Sequence, residues 1–299
     1  MRRPDDPVID AAVDAAPSRR TARRPRSVSV VVTAHDQEST VGLVVEDALR
    51  GLEDLGVPGE VVVVVGRADR TAQVALTSGA SVVESRPGRG AAVLAGVAAS
   101  RGDVVCLLDG DVRYFGDPPL VPLLVEPILG GLADACVSDL YWRPPHPRLW
   151  LHGFFAPLIG RLYPELLPKA GSTPWSGQRA ALRALWPAEL PDGATADLAL
   201  LLHWNREAAL LRPVLADDWT APRKPGLAPA RAELDLVVAD ALAHGRIDET
   251  GAKALPDWFD AVQASAQERW GDVVDPLDFA VAERDVLEGA LRELRAHGL

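Results

Sequence analysis

With 299 residues and 48% apolar side chains, the chain can build one large domain or two small ones around a substantial core. No apolar run reaches the roughly 18–20 residues that cross a bilayer, so no transmembrane segment is expected. The net charge of −11 argues against a general nucleic-acid binder. Cys106 and Cys136, the only cysteines, sit in apolar strand-like segments and read as buried free thiols of a reducing, cytoplasmic compartment rather than as a disulfide framework.

Residues 1–26 are Arg-rich but have no apolar h-region, so they read as a disordered, solvated tail and not as a secretory signal. The β-branched run 27–35 (SVSVVVTAH) predicts a buried strand. Over 39–55 the apolar positions Val41, Val44, Val45, Ala48, Leu49 and Leu52 recur at helical spacing. Residues 59–66 predict a second strand, 69–78 a short helix, 80–85 a third strand, 86–100 a loop feeding a small-residue helix, and 103–111 a fourth strand. Strands alternating with helices mean βαβ units and a parallel sheet covered on both faces. Further on, 133–143 predicts a strand, 148–163 an amphipathic helix and 172–185 a strand or turn entering a helix. Residues 194–208 predict a strong helix and 210–219 another strand. Three charged, Ala-rich helices follow near 229–245, 252–270 and 276–296, expected either to pack on the sheet domain or to form a homodimer contact.

Ligands of open α/β sheets gather at the carboxyl ends of the strands. The first four strands end in TAHDQE (33–38), GRADRT (66–71), RPGRG (86–90) and DGD (109–111), all polar and all expected along one edge of the sheet. Asp109 and Asp111 close a buried-looking strand with two like charges, which repel unless a cation lies between them. Two readings of the pair stand, a divalent metal carrying a phosphate-bearing ligand or a solvated surface turn, and the convergence of polar ends favours the first. In Arg-Pro-Gly-Arg-Gly, the guanidinium forks of Arg86 and Arg89 flank a helix start near Gly90 whose free N–H groups suit a phosphate.

These residues resemble the nucleotide-sugar-dependent GT-A glycosyltransferases, and most closely the retaining glucosyl-3-phosphoglycerate synthase group. TAHDQE stands where that group has P-A-x-N-E-E, RPGRGAA (86–92) where it has R-P-G-K-G-E-A, and DGD where it has D-S-D. Residues 161–185 and 193–204 are similar to two further stretches, so that the resemblance spans roughly 28–226. It implies an α/β fold of GT-A type, Rossmann-like, with a mostly parallel sheet carrying helices on both faces, plus a helical C-terminal region. The implied domains are a GT-A domain over 27–228, divided into a nucleotide-binding half (27–111) and an acceptor half (112–228), and a helical extension over 229–299.

The implied activity is transfer of a hexose from a nucleoside-diphosphate sugar, UDP-glucose by default, to a small polar acceptor with retention. Carried over, Asp111 would hold a divalent metal (Mg²⁺ or Mn²⁺), Asp109 the ribose or sugar side, and Arg86, Gly88 and Arg89 the diphosphate. Ala34 and Gln37 would line the nucleoside, Ser176, Gly177 and Gln178 would face sugar and acceptor, and Asp197 would reach the reacting sugar. His35, where the group has an apolar or aromatic residue, reads either as a donor-binding ring stacked on the nucleobase or as a solvated loop histidine. Arg143 and Trp175 are further acceptor candidates. His146, His152 and His203 lack ligand spacing and read as structural.

The sequence also departs from the group. Val64 and Val65 stand where an acidic residue usually reads the nucleobase, and Pro222 stands near the place of a metal-binding histidine. Asp217 and Asp218, or Arg223 and Lys224 as fixed charges, are the candidates to take over that work. Two rivals follow: an inverting enzyme with Asp197 as general base, and a degenerate nucleotide-sugar-binding protein without turnover.

Overall fold

The computed structural model describes residues 24–66, 70–113, 118–139, 151–171, 176–193, 195–215, 228–270 and 276–299. Most of the predicted tail lies outside them, as do Arg143, Trp175, Asp217, Asp218, Arg223 and Lys224.

The first half follows the βαβ expectation. Strands β1 (Val28–Ala34), β2 (Gly59–Val65), β3 (Ser81–Glu84) and β4 (Val104–Asp109) alternate with helices α1 (Val41–Leu55), α2 (Arg70–Thr77) and α3 (Arg89–Ala99). β1 pairs parallel with β2 on one side and β4 on the other, and β3 pairs parallel with β2. The carboxyl ends of all four strands therefore share one edge of the sheet.

The Val-rich runs are strands buried on both faces, and successive side chains go to opposite cores. Val30 and Val32 of β1, and Cys106 and Leu108 of β4, join the core under α1, α2 and a helix α4 (Leu120–Leu129). Val31, Val105 and Leu107 join the opposite core. Helix α4 was not expected from the sequence. Its stretch carries Pro118, Pro119, Pro122 and Pro127, with Glu126 as its one charged side chain, and burial of Leu120, Val121, Leu124, Val125 and Ile128 against α1 and the sheet overrides the propensity.

In the second half β5 (Ala135–Asp139) is shorter than the predicted 133–143, whose end lies outside the described residues. The predicted helix over 148–163 is a π-turn (Leu151–Phe155) running into α5 (Ala156–Leu162), followed by a short α6 (Leu167–Ala170). β6 (Arg179–Leu182) leads into one 3₁₀ turn (Arg183–Leu185) instead of a helix, because Pro187 lacks an amide hydrogen to carry the helix on. Then come α7 (Ala196–Glu207) and β7 (Leu211–Leu215).

The seven strands lie in the order β3-β2-β1-β4-β6-β5-β7, with β6 antiparallel to both neighbours and every other pair parallel. Inserting β6 beside β4 sets Gln178 and Arg179 next to the Asp109 end of β4, which brings residues of the second half of the chain to this edge.

The C-terminal helices α8 (Ala228–Ala243), α9 (Glu249–Trp270) and α10 (Pro276–Ala296) pack on the sheet domain. Leu234, Val237, Trp258, Phe259, Ala290 and Leu294 share one core with Val31, Phe154 and Leu158. Phe154 meets Phe259 edge-on at 5.5 Å. At the edge of this core, Arg246 lies over the buried Tyr163 ring at 4.4 Å and pairs with Glu165, tying the turn after α8 to α5 and α6.

Candidate functional site

Strand β4 delivers Asp109 buried, 6% exposed, and the chain then turns through Gly110 to a half-buried Asp111. The turn is pinned from both sides: Gly110 N–H donates to the Thr33 carbonyl at 2.9 Å, and the Thr40 hydroxyl donates to the Gly110 carbonyl at 2.6 Å. The Gln37 side chain crosses over Gly110, where a Cβ would collide with its Oε1. That oxygen is buried and makes no hydrogen bond among the described residues, so it is an acceptor facing the Asp-Gly-Asp turn with its donor missing.

Arg89, the first residue of α3, reaches under the turn. It donates to the Thr33 hydroxyl at 2.7 Å, pairs with Asp109, and donates through Nη2 to Asp197 Oδ1 at 3.2 Å. Burial works against the Arg89 cation, but the attraction of Asp109 and Asp197 outweighs it and holds the guanidinium charged above its ordinary range. Asp197 sits in the first turn of α7, where the helix dipole favours a carboxylate.

A second guanidinium, that of Arg179 in β6, is fully buried behind Asp197. It lies 3.6 Å from Asp197 Oδ1, donates to the Asp197 carbonyl at 2.9 Å, and donates to the Ser176 carbonyl. Its plane approaches the Trp204 ring at 5.9 Å. Burial lowers the Arg179 pKa, with Asp197 pulling the other way. Two arginines and two aspartates thus form a neutral cluster that leaves no buried charge without a partner. Asp197 Oδ1 is held by both guanidiniums, while Oδ2 makes no hydrogen bond among the described residues.

The acceptor-side residues point differently from the expectation. Gln178 is 1% exposed and its amide is spent on Asp109: Oε1 accepts the Asp109 N–H at 3.1 Å and Nε2 donates to Oδ2 at 3.3 Å. The Ser176 hydroxyl is buried against that of Ser138. Both side chains support the site from beneath instead of facing an acceptor, because a carboxylate as buried as Asp109 must have its lone pairs met by protein groups. Gly177 passes so close that a Cβ would collide with the Asp109 carboxylate and the Arg89 guanidinium.

The donor-side residues divide. Ala34 is in the core with its Cβ toward Gly110. His35 is exposed, its ring against Gly66 and 3.5 Å from Asp36. Gly88 caps α3 at φ 129°, a backbone shape that favours glycine. The expected free N–H groups at this helix start are partly taken: Asp192 accepts the Ala91 N–H at 3.1 Å and pairs with Arg86. Both arginines assigned to the diphosphate are therefore ion-paired to aspartates of the chain itself.

Thr33, Arg179 and Asp192 were not anticipated. A lone arginine inside the small-residue strand segment QRAAL was the signal for Arg179, since a charge there must have a partner. Nothing local marks Thr33 or Asp192.

Among the described residues no three His, Cys, Asp or Glu side chains come together to hold a metal. Asp109 is engaged by Arg89 and Gln178, and the turn carries a second, half-buried carboxylate, Asp111. That donor set fits a hydrated Mg²⁺ or Mn²⁺ completed by ligand phosphates, which needs only one or two carboxylates, and does not fit a closed protein cage.

The family model described as glycosyl transferase family 2 matches residues 29–186, just over half of the chain. The chain belongs to glycosyl transferase family 2. The match runs from β1 to just past β6, and leaves out Asp192 and α7 with Asp197. Among relatives of this family 2 chain, glucosyl-3-phosphoglycerate synthase of Mycolicibacterium paratuberculosis is 38% identical over 132 residues, covering 41% of this chain and 40% of the relative. The enzyme of the same name from Mycobacterium tuberculosis is 34% identical over 185 residues, covering 55% and 56%. The chain thus spans about half the length of the curated relatives it matches. A crystal structure of the Mycobacterium tuberculosis synthase in complex with Mn²⁺, UDP-glucose and phosphoglyceric acid superposes with a TM-score of 0.57 at 29% identity, covering 76% of this chain and 82% of that one. The described helices of this family 2 chain include none long and apolar enough to cross a membrane.

Proposed function

We propose that this family 2 chain is a nucleotide-sugar-dependent hexosyltransferase that moves a hexose, by default from UDP-glucose, to a small polar acceptor of the 3-phosphoglycerate kind. The observation that carries the reading is the meeting of Arg89, Asp109 and Asp197 beneath the Asp-Gly-Asp turn, at the sheet edge where α/β folds bind nucleotides. The complex of the similar synthase with UDP-glucose and phosphoglyceric acid supports it. Two buried free thiols support a cytoplasmic location.

In this reading Gln37 Oε1 accepts a hydrogen bond from the nucleoside part of the donor. Asp111 would hold a Mg²⁺ or Mn²⁺ ion, which when bound supplies positive charge to the departing diphosphate. Asp197 presents Oδ2 to the sugar while the two guanidiniums fix Oδ1, so its negative charge is preorganised for the cationic character that develops at the anomeric carbon. With retention, the acceptor hydroxyl attacks the anomeric carbon from the face the diphosphate leaves. The new C–O bond forms as the old one breaks, and the hydroxyl proton passes to the departing phosphate oxygen, so no protein nucleophile is needed. Gly177 borders the acceptor space, with Arg143 and Trp175 assigned to the acceptor from the sequence.

One observation favours a second reading. The unengaged Asp197 Oδ2 can also take a proton from the acceptor, which is the inverting route. The deciding experiment incubates the protein with UDP-, GDP- and ADP-hexoses and 3-phosphoglycerate, with and without Mn²⁺. It follows nucleotide release and reads the anomeric configuration of the product by NMR. Retained configuration supports the first route and inverted configuration the second. Binding without any turnover makes the chain a nucleotide-sugar-binding protein.

A further inference from the structure

Arg86 is the outer cation of the Arg-Pro-Gly-Arg-Gly loop, and it already holds an anion. Its guanidinium pairs with the Asp192 carboxylate, whose Oδ1 accepts the Ala91 N–H at 3.1 Å. The segment before Asp192 lies directly on the loop: a Cβ on Gly90 would collide with the Pro191 and Leu190 carbonyls, and one on Gly88 with the Asp192 carboxylate itself. A carboxylate of the chain is therefore seated where one guanidinium and one helix-terminal amide converge, a pair of donors that suits a phosphate oxygen equally well.

The contact is not a buried one. The Arg86 side chain is 67% exposed and that of Asp192 40% exposed, and exposed pairs of this kind are weak and screened by salt. Gly193, at φ 97°, follows directly and gives the segment a pivot. A carboxylate carries a single charge and a diphosphate carries more, so the diphosphate competes well for the same two donors, while a neutral nucleoside does not compete at all.

We propose that Asp192 is a specificity-determining residue of the donor site: its carboxylate occupies the anion position on Arg86 and the Ala91 N–H, and a donor takes that position by displacing it with its diphosphate. The inference rests on the reading of the site as one for nucleoside-diphosphate sugars. Its consequence is that every diphosphate ligand binds against an internal competitor, which lowers its apparent affinity by the fraction of molecules with Asp192 in place, whereas ligands without phosphate are unaffected.

The test is calorimetric titration of wild type, Asp192→Ala and Asp192→Asn with UDP, uridine and inorganic pyrophosphate, in the presence of Mn²⁺ at fixed ionic strength. Asp192→Ala is expected to bind UDP about fivefold more tightly than wild type, the size of one exposed ion pair plus one helix-terminal hydrogen bond. Asp192→Asn is expected to gain less, and uridine to bind all three proteins alike. UDP affinity that is unchanged or weaker in both variants overturns the proposal and makes Asp192 a clamp that shapes the loop. If no nucleotide binds any of the proteins but pyrophosphate binds Asp192→Ala more tightly, the competitor role stands and the nucleotide-sugar reading falls. Absence of both nucleotide and pyrophosphate binding overturns both.

Discussion

Arg89 and Asp197 are 108 residues apart in the chain and meet at 3.2 Å, joining the first turn of α3 to the first turn of α7. Because the same guanidinium also holds Asp109 and Thr33, it fixes the carboxyl end of β4 and the Asp197 carboxylate relative to one another. Arg89→Met leaves two buried carboxylates sharing what remains of the cluster. The expected result is a loss of about 3–5 kcal/mol of stability, as for other broken buried pairs, read by urea denaturation, together with loss of transferase activity. Arg89→Lys restores the charge but not the fork that spans three acceptors, so it is expected to recover stability in part and activity hardly at all.

Gly177 tests the same geometry from the other side. A methyl group at this position runs into the Asp109 carboxylate and the Arg89 guanidinium, both held by partners of their own. Gly177→Ala is expected to cost about 1–3 kcal/mol, the range for overpacking a tight site. It should also weaken donor binding at least tenfold in calorimetry, whereas a glycine retained only for chain flexibility would leave binding unchanged.

How far the fold was legible follows from where the information lies. Strands β1 to β4 could be read because each is a run of valines or leucines closed by polar residues, a signal held within the strand itself. Helix α4 was not legible, since its prolines argue against a helix locally and only burial between α1 and the sheet selects one. The site divides in the same way. Asp109, Asp111, Arg89 and Asp197 were visible as residue types at strand and helix ends. Their partners were not, because pairing across 56 or 108 residues is fixed by strand order, and nothing in QRAAL says that β6 will lie beside β4. The inward turn of Ser176 and Gln178 has the same origin: the need to satisfy Asp109 becomes visible only once β6 is in place.

In the proposed reading Asp111, half-buried after Gly110, holds the metal, while Asp109 is engaged by Arg89 and Gln178. Asp111→Ala is expected to weaken UDP binding in Mn²⁺ by at least tenfold and to make the remaining binding indifferent to metal. Calorimetry with and without Mn²⁺ checks this. A variant that still responds to Mn²⁺ would move the metal to other residues.

The two buried thiols give a pH dependence of defined sign. Burial pushes Cys136 up to about 12, against the opposing charge of Arg212, and burial with Cys136 as neighbour raises Cys106 as well. A thiol whose folded pKa is raised contributes stability that is fully present below its unfolded value, about 8.5, and is lost as pH rises toward the folded value. Both thiols are therefore expected to resist a disulfide reagent at pH 8 until the chain is denatured. Urea midpoints are expected to fall between about pH 9 and 12, beyond any fall seen in a Cys106→Ala, Cys136→Ala double variant.

Arg179 connects Asp197 to the segment that carries Gly177. Its guanidinium donates to the carbonyls of both Asp197 and Ser176, so the first turn of α7 and the backbone before Gly177 share one anchor. Arg179→Met keeps the bulk in β6 and the Arg89–Asp197 contact, but leaves those carbonyls without their donor, at about 1–3 kcal/mol each. The hydrogen bonds of Arg179 go to Ser176 and Asp197 and not to Thr33, Asp109 or Arg89, on which the donor edge is proposed to be built. UDP affinity is therefore expected to stay within about twofold of wild type while kcat falls roughly tenfold or more, the pattern of an interaction needed in the transition state and not in binding. A parallel loss of UDP affinity and kcat would instead mean that Arg179 holds the whole site together.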